Sequence, residues 1–207
     1  MPSHMRAGFV LASFAMVPLP VHGQATQATS VRTIYVDEVV PADAPRTLTG
    51  RLAQVDAAIR CRIERTSTRV IRNSVPVGVD PALGAEPVTE HTVTLLEILK
   101  ADPKFPATSS EMTVSQPVGL AVIDDAIVEK VNGAFRVFTV GEEYVLFLKW
   151  DSVLGEFQVI NEADAFLLKD GVVATSSGWP HSRGHQGVPV PQFLAHVREA
   201  AKAAASR

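Results

Sequence analysis

A mainly β domain with a helix near each end is the fold class that this sequence predicts, and three patterns carry that reading. In residues 138–150 (FTVGEEYVLFLKW) a turn at Gly141-Glu142 leads into a run that is apolar on both faces, which marks a central strand. In residues 57–63, Ile59, Cys61 and Ile63 alternate with Arg60 and Arg62, so one face is apolar and the other charged. Short β-prone segments at 157–160, 165–168 and 172–175 follow, with Asp170-Gly171 as a tight hairpin turn between the last two. Strands this short and this closely spaced read as a β-meander.

The remaining elements are placed in chain order. Residues 1–23 read as a cleavable signal peptide: Arg6 supplies the charge, 7–20 (AGFVLASFAMVPLP) the apolar run, and Val21 and Gly23 the small residues before a cut. Cleavage is expected after Gly23, or alternatively after Ala25. Pro18 and Pro20 argue against reading this stretch as a core helix. Residues 24–30 (QATQATS) are small and polar, and 24–33 are expected to be a flexible linker, with the domain itself spanning 34–175. A first short strand is expected over 33–40, ended by Pro41 and Pro45. Over 47–55, Leu48, Leu52 and Val55 recur at helical spacing behind a Thr47 cap, which predicts a short helix weakened by Gly50.

A long strand is expected over 57–69 and a Pro- and Gly-rich loop over 73–87. The segment 90–100 (EHTVTLLEILK) reads as a strand because its start is β-prone, and a bulge near Leu95-Leu96 accounts for the lapse in alternation. Residues 111–116 form another alternating strand, and 120–131, with Asp124-Asp125 at its middle, is either a hairpin or an irregular excursion. Residues 176–189 are expected to be a loop, and 190–207 a C-terminal helix that buries Phe193, Leu194 and Val197.

Composition narrows the function classes. The chain has 207 residues, 46% of them hydrophobic, enough for one domain with a real core. With 19 Lys+Arg against 22 Asp+Glu and no basic block, nothing resembles a nucleic-acid footprint. Beyond residue 20 no apolar run approaches the roughly 18 residues of a membrane span, so no integral membrane segment is expected after signal cleavage. Cys61 is the only cysteine, which rules out an intramolecular disulfide and a lipid-modified cysteine at the signal junction. By its strand position it is a small buried hydrophobe, the sharper alternative being a reactive thiol or an intermolecular bridge.

The segment FTVGEEYVLFL at 138–148 resembles a pattern found in netrin-like domains, the OB-fold barrels that include tissue inhibitors of metalloproteinases. It also resembles exported bacterial proteins of uncharacterised function in which the same features occur in the same order: a strand near 57–64, one ending in LEILK at 96–100, one near Thr113-Val114, then the Phe-x-x-Gly-Glu segment. The resemblance spans 48–175 and implies an OB-like (netrin-like) β-barrel of about five to seven strands. It makes Gly141 the turn residue and Tyr144, Leu146 and Phe147 core or near-core positions; Glu142 and Glu143 read as a solvated turn in preference to a binding role. The metalloproteinase inhibitors present an N-terminal cysteine to zinc and brace it with disulfides. This chain has neither, so that mechanism does not carry over.

The candidate chemistry is sparse. His181 and His185 have the x3 spacing by which two imidazoles can meet one metal, although the sequence places no third ligand nearby, and His91, Glu90 or Glu97 would join them only through tertiary contact. Pro180 and Gly184 argue against a helix presenting both rings. Ser176 and Ser177 lack a nucleophile elbow, Asp124-Asp125 lacks the spaced acidic loop of a calcium hand, and there is no phosphate-binding glycine loop. No catalytic residue and no cofactor are assigned. The leading expectation is an exported, secreted or periplasmic, monomeric binding module with a protein partner. The alternatives are a metal-dependent hydrolase using His181 and His185, and a cell-envelope structural component.

Overall fold

The structure, a computed structural model, describes residues 30–35, 45–72, 84–103, 105, 109–124, 126–131, 135–174 and 180–206. The expected signal peptide at 1–23 lies outside the described residues, as do most of the linker, the end of the first expected strand and most of the 73–87 loop. The protein is mainly β, with helices near the two ends of the described chain.

Among the described residues ten strands run in order: β1 (Ser30–Tyr35), β2 (Ala57–Arg72), β3 (Ala85–Ala101), β4 (Glu111–Gln116), β5 (Gly119–Ile123), β6 (Ala126–Val131), β7 (Glu143–Asp151), β8 (Glu156–Gln158), β9 (Ala165–Lys169) and β10 (Val172–Ala174). The helices are α1 (Leu48–Leu52), α2 (Pro180–Arg183) and α3 (Val190–Ala205). Seven strands form one sheet in the order β10-β9-β7-β2-β3-β4-β8, and β1, β6 and β5 form a second. β8 pairs in parallel with β4 and antiparallel with β7, so the pairings run from β7 through β2, β3, β4 and β8 back to β7.

This is less local than a meander. β7 returns to β2 across the chain, β8 joins β4 in parallel, and β1 joins β6 in parallel. The last pairing puts Ser30 to Thr33, expected in the linker, into a strand. The stretch Ser30-Val31-Arg32-Thr33 is too short to show a period of its own, and its partner strand lies some 96 positions away. Residues 120–131 form the hairpin β5–β6, turning at Asp124, whose φ of 47° Asp tolerates better than most residues.

The long β2–β3 pair shows why alternation lapses where it does. Its register skips Leu96 and Leu99 on β3 and Glu64 on β2, so the bulge expected near Leu95-Leu96 is present and two more accompany it. Each bulge bends the strand and increases its twist. β3 starts at Ala85, five residues earlier than expected, and takes in Pro87 opposite Val70. Proline is admitted there because β4 pairs only with Thr89 to Thr94, leaving Pro87 one partner strand among the described strands.

Two apolar layers sit on either side of β7. Tyr144, Leu146 and Leu148 face Ile59, Cys61, Ile63, Val93, Val114 and Phe157. Val145 and Phe147 face the helices, joining Leu48, Leu52, Phe166, Phe193 and Val197. A strand with both faces covered needs the unbroken apolar run seen in its sequence. Burial pushes the Cys61 thiol up from its ordinary value, with Glu143 adding to the effect, so the cysteine behaves as a core hydrophobe. Glu143 is an ion-pair partner of Arg60 (2.7 Å) and Arg62 (2.9 Å), which ties the turn at Gly141 to β2.

Helix α1 begins at Thr47, whose hydroxyl accepts from the Gly50 N–H at 3.1 Å. α3 buries Phe193, Leu194, Val197, Ala200 and Ala201 at helical spacing. The expected loop at 176–189 contains α2, with Pro180 in its first turn where a missing N–H costs nothing. Residues 187–190 then run along β10, with Val173 N–H donating to Val188 O (2.9 Å) and Gly187 N–H to Val173 O (2.8 Å), which covers the end of the sheet.

Candidate functional site

The two histidines singled out by spacing have separate surroundings. His181, on α2, is buried, and its Nε2 lies 3.2 Å from the carbonyl oxygen of Ala163. Burial holds its proton affinity down, the Asp164 carboxylate opposes that, and Arg51 reinforces it. His185 sits in the turn after α2, its N–H donating to Ser182 O at 3.1 Å, and its ring packs 5.1 Å from Phe193 and 6.2 Å from His196. The acids considered as a third ligand are engaged elsewhere: Glu97 with Arg198 (2.7 Å) and Glu90 with Arg69 (2.8 Å). His91 lies in the other core layer. Among the described residues, no group of three or more His, Cys, Asp or Glu is assembled to hold a metal ion. The helical turn at α2 is one reason, since it turns His181 inward between α1 and the segment before β9.

In that interior lies a polar cluster that the sequence did not signal. Asp164 ends a 3-10 turn at Glu162–Asp164, which Asn161 caps by accepting from Ala163 N–H at 3.0 Å. Its carboxylate is fully buried and receives two bonds from one guanidinium, Arg51 Nε to Oδ1 at 2.6 Å and Arg51 Nη2 to Oδ2. Burial pushes the Asp164 carboxyl up, and Arg51, His181 and the Asn161 backbone oppose it. The arrangement clamps α1 to the start of β9. Neither charge is available to a ligand.

A second buried string crosses the other layer. His91, fully buried on β3, places Nε2 2.7 Å from Gln116 Oε1 and Nδ1 3.0 Å from Thr66 Oγ1, and its ring lies 4.8 Å from that of Phe138. Gln116 continues the string, donating to Arg136 O (3.2 Å) and accepting from Phe138 N–H (3.2 Å). Burial lowers the His91 pKa to about 4, with the Gln116 bond opposing. The unfolded chain protonates this histidine near its ordinary value and the folded chain does not, so stability present above pH 6.5 is lost as pH falls toward 4. Between pH 7 and pH 4.5 the expected loss is about 2–3 kcal/mol from this group. His91→Gln should flatten that part of the acid slope in urea unfolding, and parallel slopes for the two proteins would refute the assignment.

The string lies under a groove of about 350 Å³, formed by Thr66 and Thr68 of β2, Thr89 of β3, the start of β5 and residues 135–137. Thr89 Oγ1 donates to Val118 O at 2.7 Å. A Cβ on Gly119 would meet that hydroxyl at 2.8 Å, so the close approach of β5 to β3 requires glycine. Phe135, Val118 and Val131 supply apolar wall, while Glu129, Lys130 and Arg136 supply charge at the groove. A second, more open pocket of about 370 Å³ lies between α1 and α3, lined by Leu48, Thr49, His185, His196 and Glu199 among others.

No protein-family model matches this sequence, and no curated protein matches it.

Proposed function

We propose that this chain is an exported, non-enzymatic binding module, built on an OB-like barrel of the netrin kind, that takes a segment of a protein partner in the groove beside β5. The observation that carries the reading is the groove itself, a concave site whose floor mixes threonine hydroxyls with apolar side chains. Its volume of about 350 Å³ suits one or two inserted side chains better than a large cofactor. The five-strand circuit of β2, β3, β4, β8 and β7, with its short parallel β4–β8 contact of two residue pairs, supports a partly open barrel. Export rests on the charge, apolar run and small residues of 1–23.

Two measurements test this. Chain purified from its own host should begin at Gln24, or at Thr26, by intact mass, and a chain retaining residues 1–23 would remove the export reading. A photoreactive side chain at Leu120, which is 57% exposed beside the groove, should give one defined adduct that excess unmodified protein competes away. The same probe at Val153, 91% exposed on the β7–β8 turn, should give none. Equal labelling from both positions, or none from Leu120, would refute the groove as the binding face.

A further inference from the structure

Four histidines fall within the described residues, and their surroundings divide them. His91 has both ring nitrogens in hydrogen bonds, and His181 has Nε2 against the Ala163 carbonyl. Among the described residues no hydrogen bond engages the ring of His185 or of His196. These two come from different elements, the turn after α2 and the middle of α3, and they line the same open pocket. Their ring centroids are 6.2 Å apart and their planes cross at 77°. Glu199 lines that pocket as well, three residues beyond His196 and so on the same face of α3.

We propose that His185 and His196 form a two-imidazole site for a borderline divalent transition-metal ion, zinc or copper in class, with solvent completing the coordination shell. An ion held about 2.0–2.1 Å from one nitrogen of each ring in a tetrahedral arrangement sets the two centroids roughly 5 Å apart. The observed 6.2 Å therefore needs a closure on the order of 1 Å, within the reach of rotation of the exposed His196 side chain. The His185 ring is half-buried against Phe193 and Phe166, which fixes one side of the site. Glu199 supplies a negative charge beside the ion and no ion pair occupies it among the described residues. The site uses different elements from the groove and stands independently of the binding reading.

The experiment is a titration of the full chain with zinc chloride by calorimetry, paired with electron paramagnetic resonance of the one-to-one copper(II) complex. One ion per chain is expected, with two nitrogen couplings in the copper spectrum. His196→Asn should lower zinc affinity about tenfold or more and reduce the couplings to one, Glu199→Gln should weaken binding about threefold without changing them, and His185→Asn should match His196→Asn. If His185→Asn fails to fold because its ring packs on Phe193, His196→Asn decides alone. Absence of saturable binding overturns the site, and so does an unchanged spectrum and affinity in His196→Asn, which would place the ion elsewhere, for example on His4 or His22.

Discussion

Replacing Asp164 with alanine should cost about 3–5 kcal/mol of folding stability, because it strands the Arg51 guanidinium beside the core without its counter-ion. The Arg51 side chain is only 13% exposed, and both of its bonds to the carboxylate vanish together. An arginine cannot shed its proton to escape, so the full desolvation cost remains. The pairing is not itself a large source of net stability. The double variant Arg51→Met/Asp164→Leu should therefore recover most of the loss, since apolar groups of similar volume carry no charge to desolvate. Arg51→Ala alone leaves a buried carboxyl whose folded pKa rises further above its unfolded value. The folded state then binds more protons than the unfolded one, so that variant should lose stability as pH rises from 4 to 7. Urea unfolding of the four proteins checks all of this, and a loss below about 1 kcal/mol for Asp164→Ala would show that the clamp does not hold α1 in place.

Phe166→Ala is expected to have a comparable effect, about 3–5 kcal/mol, for a different reason. Phe166 is fully buried, and its ring lies 5.3 Å from Phe147 on β7 and 4.9 Å from Phe193 on α3. It therefore joins β9, β7 and the C-terminal helix at one point. The cavity left by truncation has Phe147, Phe193 and the His185 ring around it, and close-packed rings on three elements cannot collapse together to fill it. Besides the lower urea midpoint, amide exchange in α3 should accelerate more than exchange in β2 and β3, whose packing lies mainly in the other apolar layer. Uniform acceleration would mean that α3 is not the element Phe166 secures.

Individual elements were legible where the signal is local. The Thr47 cap, the doubly apolar run of β7, the Asp170-Gly171 hairpin and the C-terminal helix each depend on residues within a few positions of one another, and each forms. The bulge at Leu96 was readable for the same reason, as a local break in a period of two. The strand at Ser30 to Thr33 and the early start of β3 at Ala85 were not, because each is held by a partner distant in sequence. Among candidate site residues, spacing brought forward His181 and His185, yet the rings that share a pocket are His185 and His196, eleven residues apart on different elements. His91 offered a clue that was readable only in part: a histidine at an inward-facing strand position must be satisfied if buried, but its partners Thr66 and Gln116 come from neighbouring strands.

The sequence by itself determined the β-rich character, the helix near each end, the inward face of β2 and the doubly covered run of β7, since periodicity and capping act over a few residues. Only the tertiary structure decided that β7 returns to β2, that β8 bridges β4 and β7, that Arg51 meets Asp164 across the chain, and that the threonines of β2 and β3 line one groove with β5. Those outcomes come from the burial of apolar faces and the pairing of charges between elements far apart in the chain, and such long-range pairings leave no periodic mark on the sequence.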